Sequence, residues 1–289
     1  AYMDLYLDEA LKSLPKETLM KSNNGKRVPY NIFLDSDGKH LYATFAHTHE
    51  TGFARIDLES PPPHKFHFNN YWTENWAAYA TLIPDRNIAL VHSFTKSSLS
   101  RLSKNARHGI THIVDLATLK EDLRREFRYK DPIRSVYNEK TKTLYILDKI
   151  GSRVWIVSID DFLEGVKGTS IEVDVSDIWG LDGMILNHKR NVLYAYGEAG
   201  LRFGEIDLDS SELKSVTMFW PIWDVALDNK NDVMYLSRPL NYGFDVVDSE
   251  TLRLEKRVRT WGIPRSICDL PDVGAVAVGM YFRQQDPDL

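Results

Sequence analysis

One cysteine, Cys268, stands among 289 residues, so no disulfide forms within the chain. No apolar run approaches the roughly 18 residues that a membrane-spanning helix needs. The motifs GxSxG, GxxxxGKS/T and GxGxxG are missing, which leaves serine-hydrolase, P-loop and dinucleotide readings without support. A basic excess is missing as well. The 36 Lys and Arg stand against 41 Asp and Glu, a formal net charge of −5, and a nucleic-acid surface over the whole body is not expected. The first residue is Ala1 rather than Met. The chain therefore reads as trimmed or cut from something larger, with room for a removed signal peptide or anchor.

What is present is repetition. DSDGKHLYAT (35–44), NEKTKTLYIL (138–147), NHKRNVLYAY (187–196) and DNKNDVMYLS (228–237) are one line written four times, a polar turn followed by a short apolar run. PDRNIALVHS (84–93) and DLPDVGAVAVG (269–279) are weaker copies. A spacing of roughly 40–55 residues between short strands and polar turns is the signature of a β-propeller. Aligned on the apolar pair of the second strand, the chain falls into six units over about 28–68, 69–130, 131–174, 175–219, 220–259, and 260–289 with 1–22. The expected fold is all-β: a six-bladed β-propeller in one domain over residues 1–289. Each unit offers a first strand (30–34 or 223–227, for example), a second strand with the Leu-Tyr pair, a third that alternates and ends at an Asp turn, and a polar outer strand such as 254–260. The last unit stops early. Residues 4–14 (DLYLDEALKSL) resemble 157–166, and 16–22 can serve as an outer strand, so the N-terminus is expected to complete the final blade and close the ring. The alternative is a seven-bladed protein truncated at its C-terminus.

The wording VPYNIFLDSDGKHLYATF (28–45) followed by GFARIDLES, together with IVDLATLK and VVDSETLRLEKRV, resembles the YVTN-type (YncE-like) propeller repeats. The resemblance covers about 250 residues and implies the fold. It implies no single function, because that family includes binding proteins, enzyme-associated domains and many other members. A recurring WD signature is missing, so a WD-repeat protein is not read.

In a propeller, the segments leading into first strands and those joining strands two and three open on one face, the mouth of the central channel. Six of the seven tryptophans, Trp72, Trp76, Trp179, Trp220, Trp223 and Trp261, fall in lead-in segments, where large amphipathic rings either serve interfaces or wedge between blades. First-strand positions supply Asn31, Arg134, Asp182, Asp224 and Arg265. Two guanidiniums at a channel mouth suit a carboxylate or phosphate. The plainer reading makes Arg134–Asp182 and Arg265–Asp224 ion pairs between blades. Arg238 and Tyr242 join the candidate ligand-binding set from a strand-two-to-three loop.

Three further possibilities attach to named residues. His47 and His49, with His92 from the next unit, could ligate a metal such as Zn, since i and i+2 share one face of a strand. Glu50, Asp182, Asp224 and Asn31 could hold Ca in a lactonase-like hydrolase, although the two arginines oppose a cation. The long hairpin 94–109 carries Lys96, Arg101, Lys104, Arg107 and His108 without an acid, and suits an anionic partner or a solvated loop. The reading adopted is a non-catalytic binding or scaffold propeller for an anionic small molecule, a peptide or a protein, with no cofactor. A metal-dependent hydrolase and an architectural domain of a cell-envelope protein are the alternatives. The periplasmic or extracellular side of the envelope is favoured over the cytoplasm.

Overall fold

The computed structural model describes residues 29–35, 38–46, 51–61, 65–72, 75–95, 110–126, 132–148, 151–165, 171–176, 178, 180–197, 201–218, 220–260, 262–270 and 274–281. Five four-stranded sheets follow one another, each with its strands in sequence order. The first holds β1 (Pro29–Leu34), β2 (His40–Ala46), β3 (Thr51–Asp57) and β4 (Lys65–Trp72). The second holds β5 (Asn75–Ile83), β6 (Ile88–Thr95), β7 (Ile110–Asp115) and β8 (Glu121–Glu126). The third holds β9 (Pro132–Asn138), β10 (Thr143–Asp148), β11 (Arg153–Ser158) and β12 (Ile171–Asp174). The fourth holds β13 (Leu181–Asn187), β14 (Val192–Gly197), β15 (Arg202–Asp207) and β16 (Leu213–Thr217). The fifth holds β17 (Val225–Asp228), β18 (Val233–Arg238), β19 (Gly243–Asp248) and β20 (Leu254–Arg259). A two-stranded sheet of β21 (Ile263–Leu270) and β22 (Ala275–Tyr281) ends the series. This is a β-propeller fold with five complete blades among the described residues. Six blades were expected; among the described residues the sixth unit shows two strands, and the segment 1–22 expected to complete it lies outside them.

The repeated polar turns explain why the strands start where they do. The turn before each second strand places one residue in the left-handed region: Gly38, Asn87, Lys142, Asn191, Asp232 and Gly274. Gly, Asn and Asp tolerate that conformation best, and only Lys142 departs from them. In these turns a side-chain oxygen replaces a backbone partner. Asn187 accepts from the N–H groups of Lys189 and Arg190, Asp228 from those of Lys230 and Asn231, and Asn138 from that of Lys140. The Asp turns after the third strands work likewise. Asp115, Asp207 and Asp248 each accept a backbone N–H and a hydroxyl from the residue three further on, Thr118, Ser210 and Thr251. The backbone bonds, followed by the hydroxyls, hold these carboxyls below the usual carboxylate range. The third blade breaks the rule. Its expected Asp turn is a short helix, α1 (Ile159–Glu164), whose first turn contains Asp160 and Asp161.

The chain divides into two compact units, residues 1–143 with 160–166, and 144–159 with 167–289. In the first, Tyr42, Phe53, Ala80, Ala89, Val91, Val114, Leu116 and Leu119 make one buried cluster, with the Tyr42 and Phe53 rings stacked 5.6 Å apart. In the second, Tyr194, Tyr196, Phe203, Ile222, Val225, Met234, Leu236 and Val247 belong to another. The repeated Leu-Tyr pair feeds both clusters. A fully buried side chain of this size contributes roughly 1.5–3 kcal/mol.

Polar bonds between blades come in two rows. One row lies at the Asp-turn end. Arg55 on β3 donates through Nη1 to the carbonyls of Leu116 (2.8 Å) and Ala117 (3.1 Å) in the second blade. In the fourth blade Glu205 occupies the matching position, opposite Tyr194 as Arg55 is opposite Tyr42. The arginine there comes from the turn: Arg190 Nη1 donates to Glu205 (2.7 Å), to the Tyr194 hydroxyl (2.7 Å) and to the Ser249 carbonyl (2.6 Å) of the fifth blade. Leu116 and Ser249 both directly follow the turn aspartate. Two different side-chain arrangements thus reach the same acceptor. The second row lies at the opposite end. His92 Nε2 bonds Ser135 Oγ in the next blade (2.7 Å), and the Tyr196 hydroxyl donates to Asp224 Oδ1 in the next blade (3.1 Å).

Candidate functional site

A bulge at the start of the first strand sets where the expected site residues stand. In β1, β5, β13 and β21 the register skips one residue: Tyr30, Ala78, Asp182 and Arg265. Such an extra residue bends the strand and re-aims a side chain. Asp182 and Arg265 are therefore equivalent, as expected. Asn31 is not their counterpart; it pairs with Thr44, one residue past the bulge, as Gly183 pairs with Tyr196. The side chains of Asn31 and Arg265 lie outside the described set.

The five expected positions divide between the two units, Asn31 and Arg134 in one and Asp182, Asp224 and Arg265 in the other. In the first unit the Arg134 guanidinium lies 4.1 Å from the centroid of the Tyr79 ring, a cation–π contact. In the second, Asp182 is buried. Asp224 is a clip: Oδ1 accepts from the Tyr196 hydroxyl, Oδ2 from the Ile267 N–H (3.1 Å), and its own N–H donates to Ser237 Oγ (2.7 Å). It thereby joins the fourth, fifth and last sheets. Gly183 makes this possible, since a Cβ there would meet the Tyr196 ring 2.2 Å away.

Two of the tryptophans are placed differently from expectation, while Trp220 and Trp223 lie in the segment leading into β17. Trp72 is the last residue of β4 and Trp76 the second of β5, so both are strand residues rather than loop residues. Alternation in KFHFNNYW carries the outer strand further than the polar-edge pattern suggests. Trp179 and Trp261 lie outside the described residues. Trp223 is partly buried, with its N–H toward the Ser237 carbonyl (3.4 Å). His47, His49 and 96–109 of the basic hairpin also lie outside the described residues. His92 is fully enclosed, its Nδ1 bonded to Thr111 Oγ1 (2.8 Å) and its Nε2 to Ser135, so neither ring nitrogen offers a lone pair to a metal in this arrangement. Burial, with the neighbouring His112 adding to it, pushes its pKa down to about 3. Among the described residues, no three His, Cys, Asp or Glu side chains gather as a metal site would require.

The structure brings Arg238 and Tyr242 together on the fifth blade. Arg238 ends β18, the chain makes a 3-10 turn over Pro239–Asn241, and Tyr242 follows in the left-handed region before β19 begins. Arg238 is only 5% exposed. Nη1 donates to Asp245 Oδ1 (2.6 Å), Nη2 to Asn241 Oδ1 (2.6 Å), and the guanidinium carbon lies 5.5 Å from the Trp220 ring centroid. Its Nε–H is buried with no acceptor among the described residues, a rare state for a buried donor.

Register fixes the surroundings. Leu236, Asp245 and Arg257 form one cross-strand row, and Arg238, Gly243 and Arg259 the next row on the same face. Two clefts open there. One, about 170 Å³, is floored by Ile222, Leu236, Val247 and Leu252 and walled by Trp220 and Leu254. The other, about 550 Å³, is lined by Leu240, Tyr242, Phe244 and Arg259, among others. Arg238 and Arg257 line both. Six large hydrophobic side chains are exposed among the described residues, Leu34, Leu201, Trp220, Leu240, Tyr242 and Leu254, and the last four line these clefts. Sequence reading missed Asp245, Leu240, Leu254, Arg257 and Arg259, because each sits in a strand or turn that looks like every other copy of the repeat.

No family model matches the chain, and neither does any curated protein. Among solved structures, 1311 chains share its form, so likeness at this level speaks to architecture. One is a chain in the crystal structure of the mitotic checkpoint complex, with a TM-score of 0.65 and 8% identity, the match covering 86% of this chain and 70% of that one. At that identity the likeness shows the fold alone.

Proposed function

We propose that this propeller is a non-catalytic binding scaffold that docks a segment of a partner protein across the two clefts of the fifth blade. One observation carries the reading: four of the six exposed large hydrophobic side chains gather around a buried, ring-stacked arginine. Aromatic residues and arginine are the types that anchor interfaces, and a localised exposed apolar patch marks an interaction site more often than chance. The presence of a structurally similar chain in a multi-protein assembly is consistent with such use of the fold. The same reading retains kinship with the YVTN-type repeats and a sixth blade completed by residues 1–22.

The test is selection from a random peptide display library against the folded chain, followed by affinity measurement of the recovered peptides. Binders are expected to lose at least about tenfold in affinity to the Trp220→Ala/Tyr242→Ala variant, since an aromatic anchor is worth upward of about 1.4 kcal/mol. If no peptide is enriched, or if every enriched peptide binds that variant as well as it binds the parent chain, the proposal is wrong.

A further inference from the structure

The charge on the same surface narrows the partner. Three arginines, Arg238, Arg257 and Arg259, line the clefts against one carboxylate, Asp245, a local balance of three minus one. The whole chain is at −5, so the patch runs against the sign of its surroundings. The three arginines are not equivalent. Arg238 is held by Asp245 and Asn241 beneath Trp220 and belongs to the framework. Arg257 stands 3.8 Å from Asp245 with its side chain 58% exposed. Arg259 is exposed and has no acceptor among the described residues.

These two occupy alternate positions of β20, so both project from one face about 6.6 Å apart. β20 is the last strand of its sheet. Next to these guanidiniums lies the 170 Å³ cleft, whose floor is apolar and whose wall is an exposed indole. A guanidinium prefers a carboxylate or phosphate in fork geometry, and the cleft prefers a bulky apolar side chain.

Resting on the docking reading above, we infer that the partner segment is acidic: it sets a bulky apolar side chain in the cleft beside Trp220 and presents carboxylates to Arg257 and Arg259. An isolated acid lacks the apolar anchor, and an isolated apolar residue leaves the two exposed guanidiniums unanswered. The recognition unit is therefore the pair.

The experiment compares peptides selected against the parent chain with those selected against Arg257→Glu/Arg259→Glu, keeping only clones that depend on Trp220 and Tyr242. Parent-selected clones are expected to carry Asp or Glu within a few residues of Leu, Phe, Trp or Met, to lose about tenfold in affinity to the charge-reversed variant, and to weaken as salt is raised. Arg257→Gln/Arg259→Gln, which removes charge without adding any, is expected to lose less than that. Because both side chains are exposed, thermal melting should be unchanged in either variant. Clones that depend on Trp220 and Tyr242 but show no acidic excess, or that bind the charge-reversed chain equally well, overturn the acidic-partner inference and leave the docking surface standing. Loss of every dependence on Trp220 and Tyr242 overturns the docking surface itself. Cosedimentation with phosphatidylserine vesicles that is lost in the charge-reversed variant would assign the arginines to lipid headgroups and overturn the peptide assignment.

Discussion

Lowering the pH from 7 to 4.5 is expected to destabilise this propeller through one enclosed side chain, His92. Its ring bridges two blades through Thr111 and Ser135 and is 1% exposed. In the folded chain it resists protonation until about pH 3, against an ordinary value of 6.5. The folded state thus binds fewer protons than the unfolded one. The stability this represents is complete above pH 6.5 and is lost as pH falls toward the folded value. The loss runs at about 1.4 kcal/mol for each pH unit inside that window, which amounts to a few kcal/mol, on the order of 2–3, by pH 4.5. That is a large share of the roughly 5–15 kcal/mol by which domains are stable. The turn carboxyls of Asp115, Asp207 and Asp248 have lowered values, so their contribution disappears only at still lower pH. The clean comparison is His92→Gln, whose amide can bond the same two hydroxyls but does not titrate. Urea unfolding at pH 7 and pH 4.5 should show the parent losing about 2–3 kcal/mol more than the variant. Equal losses in the two proteins would refute the assignment of acid sensitivity to this ring.

Two further outcomes follow from the bonds between blades. Arg190→Met strands the buried Glu205 carboxylate and removes a donor from the Tyr194 hydroxyl and the Ser249 carbonyl, and should destabilise by about 2–4 kcal/mol in chemical denaturation. Arg190→Met with Glu205→Met should recover much of that loss, and no recovery would show that the carboxylate is not the source of the cost. Gly183→Ala pushes a methyl into the Tyr196 ring and should lower stability by about 2–3 kcal/mol. Tyr196→Phe, which removes only the hydroxyl given to Asp224, should lose about 1 kcal/mol, and a larger loss for Tyr196→Phe than for Gly183→Ala would contradict the crowding argument.

The frame was legible because the chemistry of each turn is local. An Asx residue at the start of the turn, a left-handed residue before the second strand and the Leu-Tyr pair recur within ten residues, so every second strand was placed from the sequence. The Asp turns were equally readable except at α1, where IDDFLE forms a helix that the third-strand pattern also fits. The site was less legible, for two physical reasons. A bulge leaves no mark in composition, so the sequence does not show which residue of a first strand is skipped, and Asn31 stands one place past the position that Asp182 and Arg265 share. Burial of a charge depends on neighbours in other strands. Nothing within the segment SRPLNYG distinguishes Arg238, held by Asp245 and Asn241 beneath Trp220, from an ordinary solvated loop arginine. The two adjoining clefts, one walled by Trp220 and Leu254 and the other lined by Leu240 and Tyr242, appear only once register brings β18, β19 and β20 side by side.

The acceptors for Arg55 and Arg190 are main-chain oxygens, which every residue type supplies. A blade that is grasped this way places almost no demand on its own side chains at that point, so its sequence can drift without loosening the grip. The donor can relocate too, from a strand to a turn, provided its reach is kept. Copies of a repeated module can consequently differ until little wording is shared while their stacking persists, as the likeness of this chain to a solved structure at 8% identity illustrates for the fold.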